Sequence, residues 1–249
     1  MKKYCIEKDI PKLDQNISCI GYFDGVHRGH QVLINKTIEI AKQKNLKSMV
    51  ICFDPDPDEI INSTNSKHVL SLKDRLISFE NLGIDEVCII KFNKKLMNLK
   101  PETFIKKYLL KMNIDTLVFG FDFSFGFKGQ GNGKTLEKYL NTISIPAVNY
   151  YNKKISTTRI KQAIYEGNFK LTKRLLGYKY SLMLEVVKVS KTKNKWLIET
   201  NNVDKKMIMP KDGKYNCYEI KNGHLYFICG DKLAINEKLL MVFDYEWDF

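Results

Sequence analysis

Along the first two thirds of the chain, short continuous apolar runs alternate with stretches in which apolar residues recur every three or four positions. Ile17 to Gly21 is apolar and bounded by polar residues, the pattern of a buried strand. From Gln31 onward Leu33, Ile34, Ile38 and Ala41 fall on one face, with Lys36, Glu39, Lys42 and Lys44 on the other, so a helix begins near Arg28 or Gly29. Lys47 to Phe53 predicts a second strand, and Ser71 to Leu82 a helix opened by Ser71, with Asp74 in its first turn and Gly83 at its end. A third strand is expected over Asp85–Phe92, a helix led by Pro101 over Glu102–Met112, a fourth strand over Asp115–Gly120, a helix around Asn132–Asn141 and a fifth strand over Ile145–Tyr150. Such alternation implies an α/β, doubly wound, mostly parallel sheet that binds ligands at the carboxyl ends of its strands.

After Tyr178 the period changes. The runs Ser181–Val189, Trp196–Thr200, Lys206–Met209, Asn216–Lys221, Leu225–Cys229 and Leu239–Tyr245 are short, alternating or aromatic, and turn signals at Lys211-Asp212-Gly213 and Lys221-Asn222-Gly223 divide them. The chain therefore divides into an α/β domain over 1–178 and a small β-barrel-like domain over 179–249.

Composition narrows the class. The charged start Met1–Asp9 has no apolar signal core and no window approaches a membrane span, so a soluble, cytoplasmic protein with no membrane partner is expected. Six cysteines are scattered without a Cys-x-x-Cys pair; Cys19, Cys52 and Cys88 fall inside strands and read as reduced core residues, not metal ligands. The net charge of +13 invites a nucleic-acid reading. It is carried almost wholly by lysine, with only Arg28, Arg75, Arg159 and Arg174 as arginines, and no lysine cluster is interleaved with aromatics, so no nucleic-acid partner is expected.

The chemistry concentrates where strands end. Gly21-Tyr22-Phe23-Asp24-Gly25-Val26-His27-Arg28-Gly29-His30 places two of the chain's four histidines, three apart, at a helix start. There the free N–H groups and the helix dipole attract anions and glycines admit a phosphate. A helix-capping or packing histidine is the plainer alternative. Phe53-Asp54-Pro55-Asp56-Pro57 reads as a stiff loop after the second strand. Gly120-Phe121-Asp122-Phe123-Ser124-Phe125-Gly126-Phe127 sets four phenylalanines around one acid, ahead of Lys128 and a glycine-rich stretch; core packing is the commoner reading of such rings, but alternate rings beyond a strand end cannot all face inward, and a flat aromatic ligand would explain them. Ile155-Ser156-Thr157-Thr158-Arg159-Ile160-Lys161 offers hydroxyls and an arginine at another helix start, one hydroxyl serving as a cap and the rest suited to a polyphosphate.

These four segments, in this order and spacing, resemble the adenylyltransferase module of the prokaryotic FAD synthetase family over residues of about 15 to 180. The resemblance implies a Rossmann-like nucleotidyltransferase fold and transfer of AMP from ATP to FMN, giving FAD and pyrophosphate, with Mg2+ accompanying ATP. It implies that Gly21, Tyr22, Phe23, Asp24, Gly25, His27, His30, Ser156, Thr157 and Arg159 hold ATP, with His27, His30 and Arg159 acting on the phosphates. It places FMN against Phe53, Pro55, Asp56, Pro57, Asp122, Phe123, Phe125 and Lys128, and it calls for no metal held by side chains. Asp56 stands where the family usually has histidine, Tyr22 where a small or amide residue is usual, and Ser124 where arginine is frequent. Bifunctional members add a riboflavin kinase barrel with a Gly-Phe-Pro-Thr-Ala-Asn motif. Here Ser190-Lys191-Thr192-Lys193-Asn194-Lys195-Trp196 stands in that region, and only Met209–Tyr215 resembles the following segment, so a degenerate barrel without kinase activity is expected. A related nucleotidyltransferase for another phosphorylated substrate, or a non-catalytic flavin or nucleotide binder, are the alternatives; the sequence names no oligomeric state.

Overall fold

The computed structural model describes residues 1–7, 9–62, 66–192, 195–202, 206–211, 219–221, 224–228 and 239–243, and its contacts divide the chain into two compact units. The first comprises 1–66 and 72–155, and the second 67–71 and 156–249. The division falls after Ile155, ahead of the change in sequence texture at 178, because the two helices that follow group with the β-rich end of the chain.

In the first unit six strands form one parallel sheet: β1 (Lys2–Ile6), β2 (Asn16–Ile20), β3 (Lys47–Asp54), β4 (Glu86–Lys91), β5 (Ile114–Gly120) and β6 (Thr142–Ile145). Their order is β1-β4-β3-β2-β5-β6. The winding turns one way from β2 to β3 and β4, and the other way from β2 to β5 and β6. The switch point therefore lies between β2 and β5, and a crevice opens beyond their carboxyl ends. Helix α1 (Arg28–Lys44) follows β2 and starts at that crevice. Leu33, Ile34 and Ala41 face the core as expected, joined by Thr37 and Ile40, whereas Ile38 is only partly buried; Asn45 closes the helix in the left-handed conformation. The helices α2 (Pro57–Asn62), α3 (Leu72–Leu82), α4 (Lys94–Met97), α5 (Pro101–Lys107) and α6 (Gly133–Glu137) complete the unit, with a hairpin formed by β7 (Asn149–Tyr150) and β8 (Lys153–Lys154).

Several expectations are corrected. The charged N-terminus forms β1, an edge strand against β4; exposed Lys2 and Lys3 hid its pattern, as edge strands commonly do. The loop after Asp54 turns into α2 within three residues, since proline at a helix start needs no donated N–H. The helix expected over 102–112 breaks into α5 and a 3-10 turn over Leu109–Met112, and that expected over 132–141 is only α6, opened by an Asn132–Thr135 capping box. The last sheet strand is Thr142–Ile145, and Asn149–Tyr150 belongs to the hairpin. Cys19, Cys52 and Cys88 are buried, as expected, whereas Cys217 and Cys229 lie outside the described residues.

The second unit contains α7 (Thr157–Tyr165), α8 (Phe169–Leu176) and five strands: β9 (Ser181–Thr192), β10 (Lys195–Asn202), β11 (Glu219–Lys221), β12 (His224–Ile228) and β13 (Leu239–Phe243). They form an antiparallel sheet in the order β11-β12-β9-β10-β13. Lys206–Met209 is not one of its strands; Met207 makes a single parallel bridge to His68, with His68 N donating to Lys206 O at 2.8 Å and Ile208 N to His68 O at 2.8 Å. Parts of the expected turns at 211–213 and 221–223, and part of 190–196, lie outside the described residues.

Candidate functional site

The chain leaves β2 through Gly21 and Tyr22 and folds into a 3-10 turn, Asp24–Val26, before α1. Phe23 (φ 61°), Gly25 (φ 76°) and Val26 (φ 33°) are all left-handed. For a β-branched residue such as Val26 this costs about 1–3 kcal/mol and marks a loop held in place by its surroundings. Gln31 does part of the holding, its Nε2 donating to Val26 O at 2.8 Å; the sequence offered no signal for that role.

His27 is the N-cap of α1, and its Nδ1 accepts from His30 N at 3.3 Å. The capping alternative is thus realised, yet it leaves the imidazole functional. With Nδ1 accepting, the proton resides on Nε2. The two rings stack, their centroids 3.6 Å apart and 15° from parallel, and Phe23 packs edge-on to His30 at 5.2 Å. His30 Nδ1 is buried with no hydrogen-bond partner among the described residues. A Cβ at Gly29 would stand 3.1 Å from His27 Cε1 and 3.2 Å from its Nδ1, so a side chain there would shift the His27 ring by a few tenths of an ångström.

Burial pushes His27 down from the usual 6.5 to about 4, and burial with the His27 neighbour pushes His30 well down too. Lys154, from the hairpin, lowers both. At neutral pH the pair is therefore uncharged, which is what lets two imidazoles stack. A stability consequence follows. The unfolded chain protonates His27 near 6.5 and the folded one only near 4, so the contribution is complete above pH 6.5 and is lost as pH falls toward 4. Urea titrations of the wild type and His27→Gln across that window are expected to show the wild type losing about 3 kcal/mol more than the variant.

Beyond the carboxyl ends of β2, β3 and β5 lies a cavity of about 720 Å³. Among the expected flavin residues Phe53, Pro57, Asp122, Phe123, Phe125 and Lys128 line it, together with Gly21 and Tyr22. Pro55 and Asp56 do not. Asp56 is 4% exposed and its Oδ2 accepts from Ser66 Oγ at 2.9 Å, so it ties down the α2 segment. Phe123 and Phe125 stack 5.5 Å apart, Phe125 rests on Phe104 at 5.6 Å, and Phe53 meets Phe92 edge-on at 5.9 Å. Phe125 belongs to the core, whereas Phe121 is 54% exposed, so the four rings do divide between inside and outside. The wall also includes Ile61, Phe92, Leu96, Met97, Asn98 and Phe104, which sequence reasoning missed because α2, α4 and α5 reach the crevice only in three dimensions.

Asp122 forms an ion pair with Lys154, whose ammonium also lies 5.1 Å from the Phe121 ring centroid. Asp122 raises His27 while Lys154 lowers it, so this pair electrostatically links the aromatic cavity to the histidines. In the second unit Ser156 caps α7, its Oγ accepting from Arg159 N at 3.3 Å, with Thr157 and Arg159 in the same first turn. Among the described residues no group of three or more His, Cys, Asp or Glu is arranged to hold a metal ion, and no helix is long and apolar enough to cross a membrane.

A parallel α/β sheet with a switch-point crevice, followed from β2 by a histidine-bearing helix start, makes a Rossmann-like module; His27 and His30 are not themselves among the residues that line the cavity. Residues 9–160 match the FAD synthetase family model, and the chain belongs to that family. It is 32% identical over 207 residues to the bifunctional riboflavin kinase/FMN adenylyltransferase of Listeria monocytogenes, covering 80% of this chain and 66% of the relative. It is 34% identical over 211 residues to the protein of the same description from Buchnera aphidicola subsp. Schizaphis graminum, covering 81% and 68%. The chain thus spans about two thirds of the length of these relatives. Among solved structures, a Streptococcus pneumoniae protein described as a macrolide-efflux protein superposes with a TM-score of 0.80 at 25% identity, over 100% of this chain and 94% of that one.

Proposed function

We propose that this protein transfers AMP from ATP to FMN, releasing pyrophosphate and forming FAD. The observation that carries the reading is the phenylalanine-walled cavity beyond the carboxyl ends of β2, β3 and β5, with the two stacked histidines at the start of the helix that follows β2. A flat tricyclic ring suits such walls, and a phosphate suits the helix start beside them. A phosphate oxygen of FMN bonds to the α-phosphorus of ATP as the bond to pyrophosphate breaks. The FMN phosphate is already ionised near neutral pH, so no general base is needed and the demands are alignment and charge stabilisation. His27 serves as an uncharged donor through Nε2–H, with His30 beside it. The family resemblance assigns Gly21 to Gly25 to the phosphate loop and Ser156, Thr157 and Arg159 to the β- and γ-phosphates. Lys128 is the cavity's cation for the FMN phosphate. Magnesium accompanies ATP, as the family resemblance implies, and no step is assigned to it.

The reading is checked with ATP, Mg2+ and FMN, following FAD by chromatography and pyrophosphate by a coupled assay. FMN binding without pyrophosphate release would instead make the protein a flavin binder. We further propose that the second unit does not phosphorylate riboflavin, because Ser190–Trp196 replaces the kinase motif. Riboflavin with ATP and Mg2+ is expected to yield no FMN; formation at rates comparable to FAD synthesis would refute this.

A further inference from the structure

We infer that Arg75 is a positioning residue of the flavin cavity, clipping together the two strand ends that form its inner wall; this rests on the flavin reading above. Arg75 projects from α3 and is 1% exposed, although it carries a charge. The pairing of β2 with β3 runs to Ile20 and Ile51, and the last backbone link is Gly21 N to Ile51 O at 3.1 Å. Beyond that point the strands part, β2 toward the left-handed Phe23 turn and β3 toward α2. There a single nitrogen of Arg75 takes over the ladder's role, Nη1 donating to Tyr22 O at 2.8 Å and to Phe53 O at 3.2 Å. Its Nη2 stands 3.7 Å from Asp54 Oδ1, and the guanidinium covers the Tyr22 ring at 4.4 Å from the centroid. Tyr22 and Phe53 both line the cavity, and each begins one of the two loops that lead away from it.

A buried guanidinium is an expensive way to fill space, and Arg75 Nε has no hydrogen-bond partner among the described residues. A methionine would pack as well. What methionine cannot do is donate to two chains at once; a lysine ammonium can donate to both carbonyls, but it has neither the second nitrogen that faces Asp54 nor the flat face that covers the Tyr22 ring, so it replaces the clip only in part. The arginine therefore sets the separation and facing of the Tyr22 and Phe53 segments, and through them the fit of the ring system between the aromatic walls.

The test is titration of FMN by quenching of its fluorescence, without ATP, for the wild type, Arg75→Met, Arg75→Lys and Ile84→Ala. Ile84 is buried just ahead of β4, at the opposite ends of the strands, and its truncation lowers stability without touching the clip. Arg75→Met is expected to weaken FMN at least about 10-fold at a temperature where near-ultraviolet circular dichroism shows it folded. Arg75→Lys should recover part of the loss, and Ile84→Ala should bind as the wild type does despite a lower melting temperature. Should Arg75→Met not fold, Arg75→Lys carries the same comparison. Unchanged binding in the Arg75 variants overturns this inference alone, as does a loss in Ile84→Ala that tracks its melting temperature. A wild type that does not quench FMN overturns the flavin reading and this inference with it.

Discussion

Replacing His27 by alanine is expected to lower the rate of FAD formation about 100- to 1,000-fold, the range seen when one preorganised donor to a developing negative charge is removed. The expectation follows from the tautomer. Because Nδ1 is occupied by the amide of His30, Nε2–H is fixed as the outward donor before substrate arrives. Stacking on His30 and the absence of a side chain at Gly29 hold the ring in that orientation. On the proposed reading the transition state would then meet a donor that needs no reorganisation. The loss should appear in kcat at saturating ATP and FMN, with a smaller change in either KM. Alanine also removes the helix cap, which costs about 1 kcal/mol of stability, so melting curves separate the two effects. His27→Asn serves as the control, since it preserves a capping oxygen but not the imidazole Nε2 position. If His27→Ala turns over within about threefold of the wild type, the donor role assigned here is wrong.

Gly131→Ala is expected to act on the other substrate. Gly131 pairs with Phe125 by two backbone hydrogen bonds, Phe125 N to Gly131 O at 3.1 Å and Gly131 N to Phe125 O at 2.9 Å. This closeness puts the position of an added Cβ 2.8–2.9 Å from three atoms of the Phe125 ring. The ring cannot retreat freely, being packed between Phe104 and Phe123. The methyl group therefore displaces an aromatic wall of the cavity, an overpacking that costs about 1–3 kcal/mol. Set against the flavin, a loss of that size would raise its dissociation constant about 5- to 150-fold. Calorimetric or fluorescence titration with FMN, beside steady-state kinetics, checks this: KM for FMN should rise while KM for ATP stays near its starting value. Equal rises in both would place the cavity elsewhere in the reaction.

The clearest parts of this molecule in the sequence are those with a local physical cause. Leu33, Ile34, Ile38 and Ala41 repeat with the helical period, so α1 was legible to within a residue at its start. The buried runs of β2 and β3 were legible because parallel strands covered on both faces read as continuous apolar segments. Short elements were misread where neighbours override local preference. The edge strand β1 is defined by its partner β4, not by its own pattern, and the helical stretch around 102–112 is divided into α5 and a 3-10 turn. Among candidate site residues, His27, His30, Phe123 and Phe125 were visible as unusual residue types packed into short motifs. Asp56 looked identical in kind to a ligand-facing residue until its burial against Ser66 was known. Arg75 and Lys154 carry no local mark at all, because each acts on a segment distant in the chain.

By itself, then, the amino-acid sequence determined the α/β class, the strand-end location of the chemistry and the resemblance that points to adenylyl transfer, since period, glycine placement and motif order are properties of contiguous residues. Only the tertiary structure decided which side chains meet. The strand order places the switch point between β2 and β5, bringing the Gly21–Tyr22 end and the Asp122–Phe123 loop to one cavity, walled further by α2, α4 and α5. It also decided that the two histidines stack in a neutral state, since desolvation depends on what surrounds a ring and not on what flanks it in the chain.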